Sequence, residues 1–324
     1  MSKIKLYSEL KFGQTFCPLP FISYHLDVRK HRKLCCISKH VVSDERLQEI
    51  QTSLLDNQPV SECQVCYDKE KLNLISRRQL QLKDWLKHPD ILNDATVSPK
   101  VYDYDLRYSN LCNLECQTCN PVDSSAIAQR QGRVFPFFQH EPDLEITPDA
   151  KRIYLAGGEP FMIKSFSRLL ETVENKNCEI VINTNGTILT DHMLTALDKF
   201  TNINFTVSID GYGKLNEQIR KNSVWEDIER NIDSLAQRYG GYAHIHVNTV
   251  VQRDNVNNLL ELGTWIQNKQ INHWTMSLLA FPEQHLFSHC DNIHIPNELM
   301  TLPMVAKDIE TIKLLKYIKN HAQN

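Results

Sequence analysis

The sequence predicts an α/β protein: an incomplete (β/α)6 barrel of parallel strands, preceded by a small cysteine-rich domain. From about Val101 onward, short runs of β-branched, aromatic and aliphatic residues alternate with stretches of helical periodicity. Strands separated by helices imply crossover connections, hence a parallel sheet. Ahead of that body lies a different composition, in which Cys17, Cys35, Cys36, Cys63 and Cys66 fall within a short stretch.

The elements follow in order. Cys17 to Asp27 leads through the basic turn Arg29–Lys33 to Cys35 and Cys36, and Asp44–Leu55 has helical periodicity ahead of Cys63 and Cys66. His88–Lys100, with Pro89, Asn93, Asp94 and Pro99, reads as an interdomain linker. The strands are expected at Tyr102–Tyr108, Arg152–Ala156, Cys178–Asn183, Ile203–Ile209, Ala243–Val251 and Trp274–Ala280. Helices are expected at Phe166–Glu174, His192–Phe200, Val224–Tyr239 and Asn255–Asn268, with Asp191 and Asp254 as caps. Leu302–Ile318 reads as a terminal helix covering the barrel. The resulting division is a cysteine-rich domain at 1–87, a linker at 88–100, the barrel at 101–282 and a C-terminal connection and helix at 283–324.

Composition narrows the function classes. With 36 Lys+Arg against 39 Asp+Glu and a net charge of -3, the chain has no overall electrostatic footprint for nucleic acid or an anionic membrane. No stretch approaches the roughly 20 apolar residues of a membrane span, and no sustained apolar run follows the N-terminal lysines. The expectation is a soluble cytoplasmic protein. In such a setting, grouped cysteines read as metal ligands rather than disulfides. Cys178 and Cys290 stand alone and read as small buried or incidental residues.

Chemistry concentrates in motifs at the C-terminal ends of strands, where α/β barrels place their active sites. Cys112, Cys116 and Cys119, at CxxxCxxC spacing, follow the first strand. Three thiolates on a four-iron cubane leave one iron open to a ligand that is not protein. Gly157-Gly158-Glu159-Pro160 follows the second strand, Thr184-Asn185-Gly186-Thr187 the third, and Ser208 and Asp210 end the fourth. Taken singly, each has a plainer explanation: a zinc site for three cysteines, a strand-to-helix turn for the glycines, a turn signal for Asn185-Gly186.

Together the cysteine triad and the GGEP segment resemble the radical S-adenosylmethionine (SAM) enzymes. The resemblance implies a 4Fe-4S cluster on Cys112, Cys116 and Cys119, and SAM bound at its open iron. Glu159 would pair with the methionyl ammonium, with Gly157, Gly158 and Pro160 shaping the approach. Ser208 and Asp210 would meet the ribose hydroxyls and Asn185 the cofactor's polar edge. Reductive cleavage of SAM would give a 5′-deoxyadenosyl radical that abstracts hydrogen from a substrate. Thr118 departs from the family pattern, which commonly has an aromatic before the last cysteine, and this weakens the expected stacking on adenine.

The N-terminal cysteines resemble the twitch domain, a shortened SPASM domain that supplies an auxiliary cluster, here ahead of the barrel as in the radical proteins with an N-terminal twitch domain. This implies a second auxiliary 4Fe-4S cluster on Cys17, Cys35, Cys63 and Cys66. Cys35 and Cys36 are adjacent and on a strand face opposite ways, so one of them ligates, and Cys35 keeps the family spacing. Lys30 stands where that pattern usually has glycine. Four cysteines with a CxxC pair suit a structural zinc equally well.

On the first strand, Asp103, Asp105 and Arg107 alternate with Tyr102, Tyr104, Leu106 and Tyr108, so the charged set shares one face. Asp105 and Arg107 are therefore the expected substrate-contacting catalytic residues, with a purely structural ion pair as the alternative. The family implies an external reductant such as flavodoxin or ferredoxin. It also implies one of two substrate classes, a peptide or protein being modified or a small sugar or nucleotide derivative, with peptide modification preferred. A non-catalytic metal-binding or electron-transfer protein is the rival of another class. His244 and His246, on one face of the fifth strand, read as packing or surface residues.

Overall fold

A computed structural model of the chain describes residues 13–132, 144–241, 243–269, 271–279 and 282–321. Ala280, the expected end of the sixth strand, and the first twelve residues lie outside them. In chain order the strands are β1 (Ser23–Leu26), β2 (Arg32–Lys33), β3 (Asp103–Leu106), β4 (Glu115–Cys116), β5 (Arg152–Leu155), β6 (Glu179–Thr184), β7 (Ile203–Ser208), β8 (Arg220–Lys221), β9 (Ala243–Val251) and β10 (His273–Leu278). The fold is mixed α/β with mostly parallel pairing. It divides into two compact units, one holding the described residues through Arg107 together with Glu145–Tyr154, the other Tyr108–Leu144 and everything from Leu155 onward.

In the first unit β1 turns back antiparallel onto β2 and runs parallel to β3, with His25 opposite Asp105. The first strand expected for the barrel thus pairs with the cysteine-rich segment, and the first compact unit runs through Arg107. Within 88–100, Pro89–Val97 is helical, with Pro89 at its first position and Leu92 and Ala95 buried. Asp44–Leu55 is a helix as expected, opened by Ser43, whose hydroxyl accepts from the Arg46 amide, and it buries Ile50 and Leu54 in a core with Phe16, Phe21, Leu82 and Trp85. Ser76 and Gln79 form a capping box that starts the helix Arg77–Trp85.

The hairpin tip accounts for the lysine at a glycine position. Lys30 has a φ of 62°, in the left-handed region that glycine enters without cost. Asp27 holds the turn by accepting from the Arg29 and His31 amides, each at 2.9 Å.

The second unit is built on β6, β7, β9 and β10, all parallel to their neighbours. Alternation is strict: Ile180, Ile182, Ile203, Phe205, Val207 and Val247 are buried on one face. The other face is half-buried and polar, and its rows are set by register, with Asn183 beside Thr206, Thr206 beside His246 and His246 beside His273. Helices form at Lys164–Thr172, Asp191–Leu197, Trp225–Tyr239 and Leu259–Asn268. Neither expected aspartate is a cap. Asp191 already lies in its helix's first turn behind Thr190, and Asp254 precedes the cap residue Asn258 of the later-starting helix.

The expected single helix over Leu302–Ile318 is two pieces, Pro303–Ala306 and Ile309–His321, with a further short helix, Asn297–Thr301, just ahead of it. Pro303 has no amide to continue that short helix, and Asp308 restarts the chain by accepting from the Glu310 amide and the Thr311 hydroxyl. No helix among the described residues is long and apolar enough to cross a membrane.

Candidate active site and second cysteine centre

The triad loop in the second unit is held by two serine hydroxyls and a backbone turn. Ser125 accepts from the Cys112 amide at 3.0 Å, Ser124 donates to the Leu114 carbonyl at 2.7 Å, and the Cys119 amide donates to the Cys116 carbonyl at 3.1 Å. Cys116 lies on β4, whose partner β8 sets Arg220 directly opposite. All three thiols are half-buried. Burial pushes Cys112 up to about 11 and Cys119 up to about 12, and raises Cys116 as well. Such thiols ionise only when a cation takes the charge, as a coordinating metal does.

The GGEP segment meets this loop through backbone. Gly158 has a φ of 48°, and a Cβ there would lie 2.2 Å from the Leu111 carbonyl oxygen. The Glu159 amide donates to that oxygen at 2.7 Å. The close approach served by the second glycine is therefore to the cysteine loop itself. Gly157 also has positive φ, and Pro160 begins a short turn capped by the Glu159 side chain.

Glu159 is fully buried. Its Oε1 accepts from the Thr184 hydroxyl at 2.7 Å and the Phe161 amide at 3.1 Å, and its Oε2 accepts from the Asn185 amide at 2.7 Å. Burial lifts its pKa to about 7 despite those bonds. Three of roughly four lone-pair sites are thus taken within the chain, leaving room for one more donor. Asn185 donates to Asn113 at 2.9 Å and accepts from the Thr187 amide and hydroxyl, while Asn113 also donates to Thr187. Its amide ties the third strand's loop to the triad loop.

Ser208 is half-buried at the end of β7. Asp210, two residues on, is almost wholly buried: Oδ2 pairs with Arg220 at 2.9 Å and Oδ1 accepts from the Val250 amide at 2.8 Å. In this structure it is an internal strut that braces Arg220. Arg220, in turn, was not evident from sequence. Burial opposes its charge, but Cys116, Asp210 and Cys112 outweigh burial and hold it firmly protonated. Its buried Nε has no hydrogen-bond partner among the described residues.

In the first unit, Cys17, Cys35, Cys63 and Cys66 line one concavity with about 360 Å³ of empty space, together with Arg77 and Arg78. Cys36 is absent from that lining and lies near Arg77, Asp105 and Arg107 instead. Adjacent residues facing opposite ways thus give Cys35 to the concavity. Burial pushes Cys35 and Cys63 up to about 12 and raises Cys17 well above the usual thiol value. No three His, Cys, Asp or Glu side chains among the described residues converge on a single ion. A zinc ion requires that convergence, whereas each thiolate of a cubane holds a different iron. Three thiols in the second unit and four in the first are donor sets that could hold iron–sulfur clusters.

Asp105 lies 3.0 Å from His25 Nδ1 and 3.4 Å from Arg107. Burial works against its charge, yet Arg107 and His25 hold it well below the usual carboxylate range. Asp103, expected on the same open face, is instead paired at 2.7 Å with Arg152, which also binds Asp84 and Gln81. The structural ion pair is present, and of these groups Arg107 is the more exposed, at 24%. His246, read as a packing or surface residue, contacts Thr275 at 2.9 Å in the polar rows, where burial and His273 lower its pKa to about 4.

The family model of the Radical SAM superfamily matches residues 106–266. These residues are a radical SAM domain. The GTP 3′,8-cyclase of Synechocystis sp. is 30% identical to the chain over 145 residues, covering 44% of this chain and 43% of the cyclase. The mycofactocin maturase MftC of Mycobacterium tuberculosis is 24% identical over 177 residues, covering 52% and 41%. The chain thus spans less than half the length of either relative. Streptococcus suis SuiB bound to S-adenosylmethionine is similar with a TM-score of 0.44 and 15% identity, over 86% of this chain and 61% of that one.

Proposed function

We propose that the chain is a cytoplasmic radical SAM enzyme that modifies a peptide or protein. In this reading Cys112, Cys116 and Cys119 hold a 4Fe-4S cluster in an incomplete (β/α)6 barrel, and residues 1–87 form a twitch-like domain with a second cluster on Cys17, Cys35, Cys63 and Cys66. The observation that carries it is the contact of Gly158 and Glu159 with Leu111, which joins the GGEP segment to the triad loop. When bound, the cluster and SAM supply reductive cleavage of the sulfonium and hydrogen abstraction from substrate.

The residues act around that chemistry. Arg220 offers a buried cation for the methionyl carboxylate, and the free lone pair of Glu159 an acceptor for its ammonium. Ser208 is the hydroxyl left for the ribose. Asp105 positions Arg107 for a polar substrate. An electron donor of the flavodoxin or ferredoxin kind would serve the triad cluster.

The peptide reading is supported by the polar face of β6, β7, β9 and β10. Asn183, Asn204, Thr206, Ser208, His246, Asn248 and Thr275 share it, and Glu179 is the one residue of fixed charge among its described residues. Amides and hydroxyls suit a peptide backbone, whereas a nucleoside triphosphate calls for lysine or arginine.

Anaerobic reconstituted protein with dithionite should convert SAM to 5′-deoxyadenosine. Replacing Cys112, Cys116 and Cys119 by Ala should abolish this and remove about four irons per chain. Persistent 5′-deoxyadenosine would sink the assignment, and micromolar binding of GTP would overturn the peptide reading.

A further inference from the structure

We propose that Arg77 is the counter-ion of an anionic iron–sulfur centre held by Cys17, Cys35, Cys63 and Cys66, and that its charge raises that centre's reduction potential. This rests on the auxiliary-centre reading above. Arg77 is the first residue of the helix Arg77–Trp85, and its side chain lines the same concavity as the four thiols. Its buried Nε has no hydrogen-bond partner among the described residues. Arg78, next to it in the concavity, is by contrast engaged with the Phe16 carbonyl at 3.1 Å and the Glu70 carboxylate.

A guanidinium is buried at high cost unless an anion faces it. The protein carboxylate near Arg77 is Asp105, which already serves His25 and Arg107. Cys36, also near, lies outside the lining of the concavity. The concavity thus sets a cation whose Nε has no hydrogen-bond partner among the described residues beside four thiols that give up their protons on taking iron. Iron bound there satisfies both, because four thiolates and the sulfides outweigh the iron charges and leave the centre anionic. One-electron reduction by dithionite adds one more negative charge. A fixed cation beside the centre favours that reduced form.

The test uses the full chain with Cys112, Cys116 and Cys119 replaced by Ala, so that one centre is titrated. Arg77→Gln should shift the reduction equilibrium toward the oxidised form by at least about tenfold, or about 59 mV lower for one electron, at unchanged iron content. Arg77→Lys, which keeps the charge, should stay within about threefold of the parent. A Gln variant within threefold of the parent, or a Lys variant shifted as far as Gln, overturns the proposal. Loss of the centre in Gln but not in Lys supports it; loss in both shows that the shape of the side chain matters and not its charge, and overturns it. Parent protein holding zinc and no iron overturns the auxiliary-centre reading itself, before any arginine variant is compared.

Discussion

Replacing Gly158 by Ala tests the contact on which the active-site reading turns. The new Cβ would lie 2.2 Å from the Leu111 carbonyl oxygen and 2.8 Å from the Asn110 carbonyl carbon, both backbone atoms that cannot rotate away. The left-handed backbone at a φ of 48° costs alanine about 1–2 kcal/mol by itself. Relieving the overlap separates Glu159 from Leu111 and forfeits their 2.7 Å hydrogen bond, worth about 1 kcal/mol, and overpacking adds about 1–3 kcal/mol. The expected destabilisation is about 3–6 kcal/mol, read as a lowered urea midpoint at unchanged slope. Because Leu111 immediately precedes Cys112, iron bound by the triad should fall as well, while iron in a Cys17 and Cys63-dependent centre persists. A loss below about 1 kcal/mol with full iron content would show that the two segments do not meet as described.

Arg220→Met strips the buried Asp210 of its partner and should cost about 3–5 kcal/mol in urea denaturation, a loss that salt does not abolish; a cost under 1 kcal/mol would place the pair in solvent. Lys30→Gly relieves a left-handed lysine but loosens the unfolded chain, so a net gain of about 0–1 kcal/mol is expected, and clear destabilisation would refute the strained turn. His246 has a folded pKa of about 4 against an ordinary 6.5, so the unfolded state binds the extra proton between those values. Stability should fall by up to about 3 kcal/mol as pH drops from 6.5 to 4, and this component should vanish in His246→Gln; an identical slope in the variant would refute the assignment.

Much of the architecture was legible because it rests on local periodicity. Alternating apolar residues mark β6, β7 and β9 to within a residue or so, since each buries one face against helices. The start of the Asn255–Asn268 helix was misplaced because Asp254 looks like a cap, yet the chain turns first and only Leu259 begins the helical run. The role of β1 was hidden for a different reason. Its four residues carry no marker of a parallel partner nearly eighty residues away, and register of that kind is fixed by tertiary packing.

The site divides along the same line. Thiols and glycines announce themselves because their chemistry or backbone freedom is rare at those spacings, but the groups that make them workable are ordinary residues brought in from elsewhere. Arg220 reaches Cys116 through a two-residue ribbon, and Arg77 reaches the four-cysteine concavity from a helix start. Each is a half-buried arginine whose buried Nε lacks a partner among the described residues, and each stands beside thiols that burial keeps from ionising unaided. Asp210 pairs with Arg220, yet each arginine keeps a buried Nε without a partner among the described residues. In the proposed reading that Nε faces a metal-bound, anionic centre, support for the loaded state that the cysteines alone do not supply. Asp210 fits the same logic from the opposite side: its carboxylate holds Arg220 in place beside the triad while leaving one guanidinium edge for a further anion.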